Sequence, residues 1–134
     1  MCRKVVVALT SATLVVLSFF WSRAEEPQSG ALASGQLAFN NACRTCHSLK
    51  EGDNRLGPNL YKVVGRKAGS LPAYGYSAAM KGAEFVWDKE NLDRFISDPD
   101  AVVPGNKMKP YGGLASADAR AKVIAFLASL TTDQ

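Results

Sequence analysis

Residues 43–47 read Cys43-Arg44-Thr45-Cys46-His47, and the interpretation of the whole chain starts from this stretch. On a helical turn, residues three and four positions apart lie on the same face. The spacing therefore places two thiols and one imidazole on the same side of the backbone. In this arrangement the two sulfurs can bond to the edge of a flat metal-containing group while the imidazole nitrogen binds its metal.

The C-x-x-C-H pattern is typical of covalent haem c attachment, with Cys43 and Cys46 forming thioethers and His47 binding the iron. Other uses of the same residues compete with haem. A redox-active dithiol needs a βαβ context, which the sequence does not show. A zinc site needs more ligands, and after residue 24 a carboxylate or water would have to supply them, because no further cysteine or histidine follows. A simple disulfide leaves the histidine unexplained, so we favour haem.

The second axial ligand is a methionine by elimination. His47 is the only histidine in the sequence, so two histidines from one chain cannot bind the iron. Met108 lies in a stretch rich in proline and glycine (residues 104–113), and such a stiff loop can reach the opposite face of the haem. Met80 is better explained as a buried packing residue and remains the alternative. Histidine with methionine raises the reduction potential of a haem.

Residues 1–24 have the pattern of an export signal. Arg3 and Lys4 precede an uncharged run over residues 5–21, and the small residues Ser22 and Ala24 precede a cleavage point after Ala24. The alternative is an uncleaved membrane anchor, although the run is short for a span of about 20 residues. We expect a periplasmic protein with a flexible lead over residues 25–34 and one domain over residues 35–134.

The charge balance gives no reason to expect nucleic-acid binding. The chain has 16 basic and 12 acidic residues, a formal net charge of +4. Residues 1–24 hold three of the basic residues and no acidic one, so 13 basic and 12 acidic residues remain after cleavage. The two propionates of a haem would bring that remainder close to neutrality.

Helical signals occur at three places. Ser34 is a candidate N-cap for a helix that continues to about Ala42. Residues 89–97 form a second helix, which ends before Pro99, and Ser116 caps a third that extends to about residue 130. Residues 49–70 and 100–113 are expected to be loops. An all-α domain with such long loops needs a large apolar cofactor to complete its core.

Taken together, these motifs resemble class I c-type cytochromes over residues 35–130, especially monohaem bacterial proteins similar to mitochondrial cytochrome c. Gly35 and Phe39 resemble the contact pair on the family's N-terminal helix, and Val123 and Phe126 resemble their partners on its C-terminal helix. The resemblance implies the cytochrome c fold, in which three main helices and long loops surround one covalent haem.

The resemblance also assigns roles around the cofactor. Gly57-Pro58-Asn59-Leu60 is similar to the family's GPNL turn, in which the proline carbonyl accepts a hydrogen bond from the axial histidine. Arg66 matches a residue near a haem propionate, and Tyr76 and Trp87 match propionate hydrogen-bond donors. Two positions depart from many relatives: Phe95 replaces a tyrosine near the methionine sulfur, and Met80 replaces an asparagine, which implies a drier pocket.

The function implied by the resemblance is electron transfer rather than catalysis. We expect a monomeric single-electron carrier that uses a cytochrome bc complex, a terminal oxidase or a periplasmic dehydrogenase as redox partner. It should bind no nucleic acid and no membrane beyond a possible N-terminal tether. The alternative is a ligand-binding or peroxidase-like haem protein, which requires that Met108 be absent from the iron or easily displaced.

Overall fold

The computed structural model describes residues 27–132, which form five helices joined by loops. These are α1 (Pro27–Ala42), α2 (Ala78–Lys81), α3 (Lys89–Ser97), α4 (Pro99–Val102) and α5 (Ala117–Thr132). Within this range the structure contains no strand and one isolated bridge between Lys67 and Val86, so the prediction of an all-α fold is confirmed. Over the same residues no helix has the length and apolar character needed to cross a bilayer. The predicted signal segment, residues 1–24, lies outside the described residues.

Helix α1 begins earlier than the sequence analysis predicted. Residues 27–34, expected to be a flexible lead, are helical, and the assignment of Ser34 as N-cap was wrong. Pro27 is compatible with a first helical turn because its missing N–H has no partner there in any helix. Ala31 and Leu32 are strong helix formers. The Ser34 hydroxyl instead donates to the Ala31 carbonyl at 2.8 Å, inside the helix.

The predicted bounds of the second and third helices agree with α3 and α5. Asp88 caps α3 by accepting a hydrogen bond from the Asn91 amide at 2.7 Å. Ser116 caps α5 through the Ala119 amide at 3.2 Å, as predicted. In both cases a short polar side chain satisfies an amide that has no partner within the helix.

Helices α2 and α4 were not predicted. Each has four residues, which is too short to show a helical period in the sequence. Ser77 caps α2 and Asp98 caps α4, each through the backbone amide three residues later. The expected loop over residues 100–113 was therefore wrong for residues 100–102, which belong to α4.

Helices α1 and α5 cross in close contact, and the cysteine segment directly follows α1. A Cβ atom placed on Gly35 would lie 2.6 Å from the Lys122 carbonyl oxygen and 2.7 Å from the Phe126 Cβ. The rings of Phe39 and Phe126 lie 5.9 Å apart between centroids, and Val123 is fully buried. The helix contact implied by the resemblance is therefore present, and glycine is what allows the close approach.

Candidate functional site

A large apolar cavity lies among the helices and the loops that join them. It contains about 1170 Å³ of empty space, part of it open to solvent. The structure places every residue that the sequence analysis selected in the wall of this cavity: Cys43, Cys46, His47, Pro58, Arg66, Tyr76, Met80, Trp87 and Met108.

The two cysteines lie on a tight turn that follows α1. The Cys43 amide donates to the Phe39 carbonyl at 2.8 Å, and the amides of Cys46 and His47 both donate to the Cys43 carbonyl, at 3.1 and 3.0 Å. The helical direction thus continues past Ala42 and places both side chains on the cavity wall. Both cysteines are free. Burial raises the pKa of the Cys43 thiol to about 11, and the neighbouring Cys46 adds to the shift, whereas a redox-active dithiol needs a lowered thiol pKa.

The two ring nitrogens of His47 have different environments. Nδ1 lies 2.7 Å from the Pro58 carbonyl oxygen, and because that oxygen can only accept, Nδ1 carries the proton and donates. Nε2 then keeps its lone pair. Burial lowers the pKa of His47, the hydrogen bond to Pro58 opposes this shift, and the charge of Arg66 reinforces it. The side chain is 6% exposed, so the imidazole is neutral and ready to act as a metal ligand.

The turn that contains Pro58 is fixed to the cysteine segment by backbone hydrogen bonds. The Gly57 amide donates to the Cys46 carbonyl, and the Leu60 amide donates to the Ser48 carbonyl, both at 2.8 Å. A Cβ atom on Gly57 would collide with the His47 ring. The sequence analysis found the role of Pro58 but missed that of Gly57, although the glycine before the proline was visible in the motif.

Arg66 is held by the same turn. Its guanidinium donates to the Asn59 carbonyl at 2.9 Å and to the Tyr61 carbonyl at 3.2 Å. Burial lowers the pKa of this guanidinium, while Tyr76 acts in the opposite direction. An arginine stays protonated through such shifts, so Arg66 contributes a fixed positive charge to the cavity wall.

The aromatic residues form a second wall of the cavity. Trp87 is buried, and its ring meets that of Phe95 edge-on with 4.9 Å between centroids. Tyr76 meets Tyr74 in the same manner at 4.7 Å. Burial raises the pKa of Tyr76, which keeps its hydroxyl protonated and able to donate. Tyr74, which the sequence analysis did not select, also lines the cavity and donates from its hydroxyl to the Leu56 carbonyl at 2.8 Å.

Two methionines line the cavity. Met108 is half-buried on the loop between α4 and α5, and its amide donates to Oδ1 of Asn106 at 2.9 Å. Met80 is 7% exposed on α2, where its amide donates to the Ser77 hydroxyl at 3.1 Å. The sequence analysis missed Asn106, and its position directly after Pro-Gly in a turn was the available signal.

Comparison with known proteins identifies the family to which these features belong. The sequence model of the family described as Cytochrome c matches residues 32–131. The chain belongs to the cytochrome c family. A cytochrome c2 from Rhodomicrobium vannielii is 40% identical over 131 residues, which cover 95% of this chain and 96% of that protein. A cytochrome c from Euglena viridis is 39% identical over 101 residues, which cover 75% of this chain and 98% of the relative.

A solved structure of a family member has the same fold. Cytochrome cH from Methylobacterium extorquens is 35% identical, and the match covers 73% of this chain and 97% of that one with a TM-score of 0.66. Membership confirms the resemblance to class I c-type cytochromes, the cytochrome c fold and one covalently attached haem c as cofactor. Cytochromes c are electron-transfer proteins rather than enzymes, so this chain is a monohaem electron carrier.

The cavity of this cytochrome has the chemistry that a haem requires. Its wall is mainly apolar, two free thiols and a neutral imidazole face it, and Arg66 adds a positive charge suited to an anionic propionate. None of the lining residues, all of which fall in the described range, is acidic. Residues 27–132 also contain no group of three or more His, Cys, Asp or Glu side chains arranged to hold a metal ion, as a zinc site would need.

Proposed function

We propose that this cytochrome is a periplasmic single-electron carrier whose haem iron is bound by His47 and Met108. The observation that carries the proposal is that His47, Met108 and the two free cysteines, Cys43 and Cys46, all line one apolar cavity. Nδ1 of His47 is engaged with Pro58, so Nε2 is the nitrogen available to the iron. Met108 reaches the cavity on a loop far along the chain from the cysteine turn, which supports its approach from the other haem face.

Met80 is the less suitable of the two sulfur ligands. It belongs to α2, whose backbone lies directly against Gly69, so that a Cβ atom on this glycine would collide with the Met80 carbonyl. Its burial is that of an ordinary core residue, and methionine fills irregular apolar space well. Met108 lies on a loop without helical constraints and is held by a hydrogen bond from its own amide. We therefore assign the axial position to Met108.

The other selected residues have supporting roles in the proposal. Cys43 and Cys46 form the two thioether bonds. Pro58 orients His47 through Nδ1 and makes its imidazole more basic, as partners of metal-binding histidines commonly do. Arg66, Tyr76 and Trp87 would hold the haem propionates, because a guanidinium, a hydroxyl and an indole N–H can all donate to acidic oxygens.

The protein transfers electrons without catalysis because these side chains would keep substrate and water away from the iron. When bound, haem c supplies a reversible one-electron couple between ferrous and ferric iron. His47 and Met108 would both hold the iron, which would leave no site there for a substrate. The apolar wall excludes water, and Pro58 and the loop around Met108 hold the two ligands in place. A ligand set that hardly moves favours fast electron transfer.

The proposal also includes a location and redox partners. The sequence pattern of residues 1–24 supports export, and the helices described over residues 27–132 support a single haem domain. A mature chain that begins at Glu25 would exclude the membrane tether. The proposed partners are a cytochrome bc complex, a terminal oxidase or a periplasmic dehydrogenase, which would contact the monomer briefly through a small, salt-sensitive interface.

The proposal is tested with the exported holoprotein and candidate partner complexes. We expect rapid reduction and reoxidation whose rates change with ionic strength, together with slow binding of carbon monoxide to the ferrous form, because Met108 blocks the iron. Rapid carbon monoxide binding combined with peroxidase turnover would overturn the carrier function in favour of a ligand-binding or peroxidase-like haem protein.

A further inference from the structure

We propose that Asn106, together with Asp100 and Lys109, forms a latch that positions Met108 and retains its thioether on the iron. The inference rests on the proposed ligation by Met108 and goes beyond it, because it assigns the stability of that bond to particular residues outside the ligand set. Asn106 acts through Met108 and is a positioning residue.

Asn106 is the centre of the latch. Its side chain is 6% exposed, which is unusual for a carboxamide in a loop. Oδ1 accepts the Met108 amide at 2.9 Å, while Nδ2 donates to the Val103 carbonyl at 3.0 Å and to Oδ1 of Asp100 at 2.9 Å. All of these bonds are lost together if the carboxamide is removed, and the part-buried Met108 amide then loses its acceptor.

Asp100 and Lys109 close the latch on the other side of Met108. Asp100 uses one oxygen for Asn106, and its second oxygen pairs with the ammonium group of Lys109. The contacts link the Met108 amide to Asn106, Asn106 to Asp100, and Asp100 to Lys109. Because Lys109 directly follows Met108, they hold the backbone on both sides of the Met108 side chain. An exposed ion pair by itself adds little stability. Here its effect is to orient the carboxylate that holds Asn106.

The local backbone brings these residues together. The Asn106 amide donates to the Val103 carbonyl at 3.0 Å, and Gly105 between them has φ +84°, as the third position of a type II turn requires. This turn directs Asn106 inward, and the short helix α4 presents Asp100 to it. Because Met108 can leave the iron only if its loop moves, bonds that fix the loop slow that departure.

The latch is tested by the rate at which imidazole replaces Met108 in the ferric holoprotein. At saturating imidazole this rate is limited by the loss of Met108. We expect Asn106→Ala to increase the limiting rate about tenfold, equivalent to about 1.4 kcal/mol, and to weaken the red-end absorption band that arises from sulfur–iron charge transfer. Asp100→Asn keeps an acceptor for Asn106 but loses the Lys109 pair, so its increase should be smaller, about twofold to fivefold.

Two control variants change the same residue types elsewhere. Asn91 lies in the first turn of α3, and Asn91→Ala removes a carboxamide that donates to the Asp88 carboxylate and the Val86 carbonyl. Asp118→Asn breaks an exposed ion pair with Lys122, 2.6 Å long, on α5. Neither residue lines the cavity, so the limiting rate should stay within about twofold of the unmodified protein.

Each result decides between the two proposals. If the unmodified protein has the red-end band and Met108→Ala loses it, but Asn106→Ala and Asp100→Asn leave the limiting rate unchanged, the latch is wrong and the ligand assignment stands. If the unmodified protein lacks the band, ligation by Met108 is wrong and the latch fails with it. Should Asn106→Ala not fold, Asp100→Asn alone decides: a rate equal to that of Asp118→Asn overturns the latch.

Discussion

At the scale of single residues, the chemistry of this cytochrome depends on one imidazole with two distinct nitrogens. His47 is buried, and its pKa is lowered mainly by that burial. Its Nδ1–H donates a hydrogen bond to the Pro58 carbonyl oxygen. The ring is fixed from one side by the Pro58 carbonyl and from another by the backbone of Gly57, which approaches too closely for any Cβ. Orientation of the metal ligand is therefore a property of the turn and not of His47 alone.

The close approach of Gly57 predicts the effect of adding a methyl group. Gly57→Ala should push the His47 ring or the turn out of place, lower the free energy of unfolding by about 1–3 kcal/mol and disturb the low-spin haem spectrum. Denaturant unfolding and visible spectroscopy measure the two effects. Gly75→Ala is the matched control, because nothing lies within 4 Å of a Cβ at that position. Equal behaviour of the two variants would contradict this account of the turn.

At the scale of elements, the site depends on helices that hold loops in fixed positions. The crossing of α1 and α5 fixes the cysteine turn, and the C-terminal end of α3 fixes the loop that carries Met108. The Tyr111 hydroxyl and the Leu114 amide both donate to the Ile96 carbonyl, each at 2.9 Å. The loops can therefore be long and still hold their side chains in defined places.

The α1–α5 crossing predicts opposite effects for two alanine substitutions in the same helix. Gly35→Ala should destabilise the protein by about 1–3 kcal/mol because its methyl group would contact Lys122 and Phe126. Gly30→Ala has open space around it and should stabilise the helix by roughly 0.5–1 kcal/mol. Thermal unfolding measures both changes. A neutral Gly35→Ala variant would show that the two backbones do not need to approach so closely.

Tyr111 predicts a pH dependence at the loop–α3 contact. Burial is the main cause that raises the pKa of its hydroxyl from 10.0 to about 12, and Arg120 opposes the shift. The smaller contribution of the free Cys43 thiol is lost once that sulfur forms a thioether, whereas the effect of burial remains. Between these values the folded state keeps a proton that the unfolded state has lost, so stability falls as pH rises through this window. Tyr111→Phe should flatten the loss of stability between about pH 10 and 12, measured by denaturant unfolding of the ferrous protein. Parallel curves for the two proteins would contradict the assignment.

Some elements were predictable from sequence and others were not, for identifiable reasons. Helices α3 and α5 combine a polar cap with periodic apolar residues, and both signals are local. The first turns of α1 are exposed and follow no apolar period, so the sequence suggested a flexible lead there. Helices α2 and α4 depend on single capping residues. The contact of Gly57 with His47 and the bonds of Asn106 arise only when distant segments meet.

At the scale of the whole molecule, the helices and loops of the described residues surround a cavity for the cofactor. Loops of the predicted length could not form a core by themselves, and this was the sequence signal for the cavity that the structure contains. The C-x-x-C-H motif identified the cofactor because its spacing is chemically specific. Met80 and Met108 both line the cavity, and Met108 is the proposed ligand because it lies on a loop whereas Met80 lies on helix α2.

The charge of the whole molecule predicts its isoelectric point after export. The full sequence has an isoelectric point of about 9.1. Loss of residues 1–24 removes three basic side chains, and two haem propionates add negative charge. Isoelectric focusing of the purified holoprotein should give a value roughly one to three pH units lower. A value near 9 would show that the basic N-terminal segment remains attached.

The central claim is that His47 and Met108 close both faces of the haem iron, and the visible spectrum of the ferric protein tests it most directly. The unmodified protein and Met80→Leu should both show the red-end sulfur–iron band. Met108→Ala should keep its covalent haem, lose the band, bind carbon monoxide rapidly when reduced, and have a potential lower by about 0.1 V or more, within the roughly 0.8 V range that axial ligands control. An unchanged spectrum in Met108→Ala, with loss of the band in Met80→Leu, would contradict the claim.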